Sequence, residues 1–190
     1  MVQLSHARQT PRLTLRRFEL DDLDDLALIL ANEEVNRYLY SEPRDRATTL
    51  EVLQGRLAKP EGTADDNQFV VAVELRDTKQ VIGEFILRWV VNEHRQGEIG
   101  GSLQPDFHGQ GFASEVYGEL LILAFTQYGL RRVVGRCDAR NVASVRSLEK
   151  VGLRQEAHFV ENEFVKGEWT DEIVMAIRKD EWERRRDAGL

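Results

Sequence analysis

Gly109 and Gly111 stand two residues apart, immediately before a long apolar stripe. Without Cβ atoms at these positions, the backbone can turn into a helix with several N–H groups pointing outward together. A helix N-terminus adds unpaired donors and the positive end of the macrodipole, so the guest such a turn suits is an anion, a phosphate or pyrophosphate above all. A Gly-x-Gly before a helix serves plain tight turns as well, and the turn alone leaves both readings open. Upstream, Gly100 and Gly101 interrupt a strand-like run. Glycine there weakens pairing and marks a bulge or a closely approaching backbone. A splayed strand beside a phosphate nest suits an elongated guest.

Composition narrows the classes. With 190 residues, 42% hydrophobic and 31% charged, the chain has the make-up of one soluble globular domain with a sizeable core. Its apolar runs, such as Leu120 to Phe125, are far too short to span a bilayer. No positive segment followed by an apolar core opens the sequence, so no secretory signal is expected and a cytoplasmic location is the default. One cysteine, Cys137, excludes an internal disulfide, and His6, His94, His108 and His158 lack metal-site spacing. A formal net charge of −7 argues against nucleic acid, which calls for a basic face. It is compatible with a cationic substrate, although a mildly acidic surface also serves solubility.

The turn needs elements to hold it. Residues 1–10 are polar and read as a frayed terminus. Arg12 to Phe18 alternates as a first strand, and Glu19 to Asn32 carries Leu20, Leu23, Leu26, Ala27 and Leu30 at helical spacing behind Asp21, Asp22, Asp24 and Asp25, acids that suit a helix start. A short helix around Val35 to Leu39, a helix over Ala47 to Leu57 and a breaker-rich stretch from Pro60 to Asn67 follow. Strands over Phe69 to Leu75, Val81 to Val91 and Gln96 to Leu103 form an antiparallel meander. After the turn, Phe112, Val116, Leu120, Ala124 and Tyr128, with Ala113, Tyr117 and Leu121 beside them, give a helix stopped by Gly129. Arg132 to Cys137 is a strand. Asn141 to Gly152 is a helix with an N-cap asparagine and a C-terminal glycine, and Leu153 to Val160 and Trp169 to Arg178 are strands around Lys166 and Gly167. Glu183 to Arg186 is a solvated tail or helix end. No repeat or linker interrupts this order, so we expect a single α/β domain over residues 1–190.

Four motifs together resemble the GNAT N-acetyltransferase superfamily, and within it the ribosomal-protein N-acetyltransferase branch. They are Glu98-Ile-Gly, His108-Gly-Gln-Gly-Phe-Ala113, Asn141-Val-Ala-Ser-Val-Arg-Ser-Leu-Glu-Lys-Val-Gly-Leu153 and Gly167-Glu-Trp-Thr-Asp171. The likeness covers roughly residues 11–182. It implies a mixed, mostly antiparallel sheet of six to seven strands flanked by about four helices, with a splayed strand at a coenzyme cleft. It also implies that acetyl-coenzyme A is bound, with its pyrophosphate over His108, Gly109, Gln110, Gly111, Phe112, Ala113 and the adjoining Ser114. The pantetheine arm would run along the strand ending at Leu103. The superfamily carries Gln or Arg where this chain has His108, a departure that leaves the backbone donors in place.

The resemblance makes Glu98 the first candidate base, directly or through a water, with a cross-strand charge partner as the alternative. Asn141 is implied to hold the pantetheine, although capping alone explains an asparagine there. Ser144 is implied to lie near the sulfur and to protonate the leaving thiolate, and Arg146 to approach the phosphates. Glu156 suits a sheet-surface role, Trp169 packing, and Cys137 a small buried side chain rather than a nucleophile. No metal is implied. The expected reaction is direct attack of a primary amine on the thioester, the amine being a protein N-terminal α-amino group. A small-molecule amine such as an aminoglycoside or polyamine is the alternative acceptor, and a non-catalytic coenzyme A binding module the alternative class. Acceptor choice in this fold falls to residues 35–48 and the final hairpin. The sequence leaves the oligomeric state open, a homodimer included.

Overall fold

The alternating and apolar runs become strands, as their patterns predict. The computed structural model describes residues 7–58, 68–91 and 93–189, and the stretch expected to be rich in breakers, Pro60 to Asn67, lies outside them, as do residues 1–6. The strands are β1 (Arg8–Gln9), β2 (Leu13–Arg16), β3 (Gln68–Leu75), β4 (Val81–Val91), β5 (Gln96–Leu103), β6 (Arg132–Asp138), β7 (Arg154–Val165) and β8 (Glu168–Arg178). They form one sheet in the order β1-β2-β3-β4-β5-β6-β8-β7. β5 and β6 are parallel; β1 with β2, β2 with β3, β6 with β8 and β7 with β8 are antiparallel. The helices are α1 (Leu23–Leu30), α2 (Glu33–Asn36), α3 (Arg46–Ala58), α4 (Phe112–Ile122), α5 (Val142–Lys150) and α6 (Lys179–Asp187).

Eight strands and six helices among the described residues exceed the six to seven and about four expected. The extra strand is β1, whose Arg8 and Gln9 pair with Leu15 and Thr14 where a frayed terminus was expected. Two residues are too few to show alternation. Part of the helix excess is α6, which docks through the buried Trp182 in an otherwise polar run.

The chain divides into two compact units, Met1–Ile86 with Gly101–Val116, and Leu87–Gly100 with Tyr117–Leu190. In the first, Phe18, Leu23, Leu26, Ile29, Leu30, Leu53, Ala72 and Val81 pack into one core. Leu20, read as part of the α1 stripe, is 56% exposed because residues 20–22 form a 3-10 turn, which puts it out of phase with the helix that follows. Arg16 joins that turn to the sheet. Its Nη1 and Nη2 donate to the two Asp22 oxygens at 2.8 Å each, and its Nε to Glu74 at 2.6 Å. The Asp22 and Glu74 side chains are only 7% and 11% exposed. Replacing Arg16 with methionine leaves both carboxylates buried without the guanidinium, and should cost about 3–5 kcal/mol in urea unfolding. An unchanged midpoint would show that the three-way pair contributes nothing net.

Gly101 has a reason other than a ligand. A Cβ there would lie 2.4 Å from the Phe85 ring and 2.6 Å from the Glu84 carbonyl, so it is the close approach of β4 that requires glycine. In the second unit, the registered pairs of β5 with β6 run from Gln96↔Arg132 to Glu98↔Val134, whereas the strands continue to Leu103 and Asp138. The helix expected to run unbroken to Tyr128 instead changes at Leu123 to a π-helical turn through Gln127. That turn buries Leu123, Ala124 and Phe125 in succession, Phe125 lying 5.3 Å from the Trp182 ring. Gly135 lets α5 settle on β6, since a Cβ there would meet Leu148 at 2.8 Å. Gly129 and Gly152 are left-handed, as their helix-ending positions predict. Lys166 and Gly167, at φ 51° and 85°, close the β7–β8 hairpin.

Candidate functional site

The glycine turn forms where the sequence places it. β5 ends at Leu103, a 3-10 turn follows at Pro105–Phe107, and α4 opens at Phe112. Gly109 and Gly111 have φ of +73° and +82°. A Cβ at Gly109 would meet nothing within 4 Å, and one at Gly111 only an Arg12 guanidinium nitrogen at 3.7 Å. Backbone torsion, not crowding, therefore selects glycine here. Glu115 N–H donates to Gly111 O at 3.1 Å, so the N–H groups of Phe112, Ala113 and Ser114 precede the helical ladder.

Side chains brace this turn from beneath. His108 Nε2 donates to Leu103 O at 3.0 Å, so the residue that departs from the superfamily pattern ties the turn to the strand end. Gln110 Nε2 donates to Asp106 O at 2.9 Å. Phe112 is buried edge-on to Phe107. Leu103 is buried and packs over Gly83.

Arg12, read from the sequence only as a polar strand residue, is the principal brace. Its Nη1 donates to Gln110 O at 2.9 Å, its Nε and Nη2 each reach Glu115 Oε2 at 2.7 Å, and its guanidinium lies 4.1 Å from the Phe112 ring centroid. No short-range signal joins Arg12 to residues about a hundred positions away. Burial would raise the Glu115 pKa, but hydrogen bonds from Thr10 and Arg12 outweigh it and hold the carboxyl below its usual range. A depressed folded-state pKa means the contribution is complete above the ordinary glutamate range and is lost as pH falls through the lowered value. Arg12→Ala should weaken coenzyme A binding about three- to tenfold in calorimetry, the loss of one charge-assisted brace. Equal affinities would remove Arg12 from the site.

Glu98 lies in the second unit with its side chain 12% exposed. Arg88 Nη2 donates to both of its oxygens at 2.9 Å, and Arg136 Nε stands 3.8 Å away. Arg136 Nη1 donates to Glu172 at 2.9 Å, and the buried Glu172 also accepts from Asn162 Nδ2 at 3.1 Å. Arg88, Glu98, Arg136, Glu172 and Asn162 thus make one row across β4, β5, β6, β8 and β7. The cross-strand partnership weighed for Glu98 is how its carboxylate stands here.

Asn141 caps α5, its Oδ1 accepting from Ser144 N–H at 3.0 Å. Hydrogen bonding from Ser144 works to lower the pKa of both the Tyr117 phenol and the Cys137 thiol, and burial outweighs it in each. Burial pushes the Cys137 thiol up to about 11, so it is protonated at neutral pH, in keeping with a thiol that is no nucleophile. Burial likewise pushes Tyr117 above the ordinary tyrosine range. Sequence reading took Tyr117 as one more apolar residue of the stripe; its hydroxyl on a packed face was the signal of a buried partner. Arg146 is exposed on α5.

The remaining candidates sit on the hairpin and the adjoining sheet. Glu156 pairs with Arg132, and with Arg154 at 2.7 Å, a sheet-surface role. Trp169 corrects the expectation of packing: it is 60% exposed, resting on Phe164 with ring centroids 5.3 Å apart. Among the described residues, no three His, Cys, Asp or Glu side chains converge as a metal site, and no helix is long and apolar enough to cross a membrane.

The room at both glycines and the first N–H groups of α4, which have no helical partner, are features that could hold an anion such as a pyrophosphate.

The chain is similar to known proteins along most of its length. A family profile described as an acetyltransferase (GNAT) domain matches residues 12–154. An uncharacterized N-acetyltransferase of Bacillus subtilis, YnaD, is 30% identical over 91% of this chain and 97% of its own length. The spermidine N(1)-acetyltransferase of Vibrio cholerae is 27% identical over 92% and 97%. The crystal structure of spermidine N-acetyltransferase from Vibrio cholerae in complex with CoA and spermine superposes with a TM-score of 0.77 at 26% identity, covering 92% of this chain and 99% of that one. Matched along most of its length by that profile, the chain belongs to the GNAT acetyltransferase family and is an acyltransferase that takes its acetyl group from acetyl-coenzyme A.

Proposed function

We propose that the chain acetylates the α-amino group of a protein N-terminus, by direct attack of the amine on the thioester. The observation that carries this reading is the charge-balanced row around Glu98. Both oxygens of Glu98 are engaged by Arg88, so accepting a proton means giving up a hydrogen bond. An amine that sheds its proton readily makes the lighter demand: an α-amino group has a pKa of about 7.7–8.0, against about 10.4 for a lysine. The two arginines of the row match its two glutamates, so the row itself offers a polycation no net negative charge.

In this reading the residues of the chain divide the work. Gly109, Gly111 and the first N–H groups of α4 hold the pyrophosphate, with His108 and Arg12 fixing the turn. Bound there, acetyl-coenzyme A supplies an activated acyl carbon. Asn141 orients the pantetheine while it caps α5. Glu98 takes the proton the amine releases, and Ser144 gives its proton to the sulfur as the C–S bond breaks.

A second reading, polyamine acetylation, is favoured by the spermidine acetyltransferases among the relatives. A thiol-release assay with acetyl-coenzyme A separates the two. The panel is a peptide with a free N-terminus, the same peptide N-blocked but carrying lysine, spermidine, and an aminoglycoside. Turnover of the free-N-terminus peptide at the highest kcat/KM is expected. Preference for spermidine would install the second reading, and coenzyme binding without turnover of any amine would sink both.

A further inference from the structure

We infer that Glu172 is a positioning residue for acyl transfer: it draws the Arg136 guanidinium onto itself and leaves the Glu98 carboxylate with one arginine rather than two. This rests on the reading of Glu98 as the group that takes the proton of the amine.

Arg136 stands between two carboxylates. Glu98 is the last residue of β5 in register with β6, opposite Val134, and Arg136 lies two positions further along β6. On the other side Arg136 faces Val174, and Glu172 lies two positions along β8 from it. Steps of two keep a strand's side chains on one face, so Arg136 meets both acids. It does not share itself equally: its Nη1 donates to Glu172 Oε2 at 2.9 Å, while its Nε stays 3.8 Å from Glu98 Oε2. Burial and existing partners explain the choice. Arg88 already donates to both oxygens of Glu98, whereas the Glu172 side chain is 6% exposed and pairs with Arg136. A carboxylate so buried is costly without its cation.

The same Glu172 oxygen is fixed from the far side by a bulge. Between the pairs Phe159↔Glu172 and Glu163↔Thr170, Val160, Glu161 and Asn162 of β7 face the single residue Asp171. Glu161 takes φ 48° there and donates its N–H to Asp171 Oδ1 at 2.9 Å, and His158 Nε2 meets Asp171 Oδ2 at 2.7 Å. The pinned bulge brings Asn162 Nδ2 to Glu172 Oε2 at 3.1 Å. Glu172 is thus held in place and holds Arg136 in turn. Without its charge the guanidinium is free to close on Glu98, and a second cation makes a carboxylate a poorer proton acceptor.

Glu172→Gln keeps the shape and deletes the charge. We expect kcat to fall about tenfold, since a cation closing on a carboxylate lowers its proton affinity by about a power of ten or more, with KM for acetyl-coenzyme A unchanged. Adding Arg136→Gln should restore kcat to within about twofold of wild type, because the guanidinium that weakens Glu98 has gone; a folding defect would not be repaired by removing a further partner. A readout independent of turnover is a crystal structure of Glu172→Gln, in which an Arg136 nitrogen should stand about 3 Å from a Glu98 oxygen. Arg136 unmoved in that structure, or a loss that Arg136→Gln does not restore, would overturn the positioning role while the reading of Glu98 stands. If Glu98→Gln leaves kcat unchanged, that reading falls and takes the Glu172 role with it. An equal loss from Glu172→Gln with and without the Glu98 carboxylate would assign Glu172 to the sheet alone.

Discussion

Gly111→Val should reduce coenzyme A affinity between about tenfold and a thousandfold in calorimetry while the protein remains folded. The reason is torsional. Gly111 sits at φ +82°, a conformation that costs a β-branched residue about 1–3 kcal/mol, and space is not the obstacle, the nearest atom to a new Cβ being Arg12 at 3.7 Å. The chain can relieve the strain only by rotating the peptide, which turns away the N–H groups that face the anion. A branched side chain would also stand over the nest itself. Gly118→Ala is the control: it lies within α4, a Cβ there meets nothing within 4 Å, and it should leave binding unchanged and add about 0.5–1 kcal/mol of stability. Full affinity in Gly111→Val would mean that the turn is only a turn.

Glu98→Gln should lower kcat about a hundredfold, the lower end of what a positioned base contributes, with KM for acetyl-coenzyme A little changed. Glutamine keeps the shape and still accepts from Arg88, but it takes up no proton. It also leaves Arg88 and Arg136 facing a single glutamate, a charge imbalance whose effect must be separated from the loss of the base. Arg88→Gln makes that separation, because it breaks the same ion pair yet retains the carboxylate, and it should lose far less. In the wild-type chain the rate should rise with pH through the titration of the acceptor, about 7.7–8.0 for an α-amine. A Glu98→Gln variant within twofold of wild type would leave Glu98 as a strand partner and nothing more.

Those two residues also mark how far the sequence could be read. The glycine turn was legible because its information is local: two glycines, the start of a helix stripe and a stop glycine lie within about twenty residues, and the structure has the turn, a helix from Phe112 and a left-handed Gly129. The α5 punctuation by Asn141 and Gly152 was legible for the same reason. What escaped was long-range. Arg12 reaches Gln110 and Glu115 only after β2 and the turn have been assembled. The row through Arg88, Glu98, Arg136 and Glu172 depends on strand order, which alternation does not encode. Tyr117 was hidden by its own periodicity, a hydroxyl counted as apolar. Trp169 misled in the other direction, since a tryptophan is expected to be packed and this one is mostly exposed on a hairpin. Gly101 had the right residue type but a different cause, the Phe85 ring of β4 in place of a ligand.

The most direct measurement is a single turnover followed by mass spectrometry of both protein and peptide, with acetyl-coenzyme A and a peptide bearing a free N-terminus and an internal lysine. The account predicts one acetyl group on the N-terminal nitrogen for each coenzyme A thiol released, with the enzyme's mass unchanged throughout. An acetyl group found on Cys137 or Ser144, or on the lysine with the N-terminus left free, would contradict it.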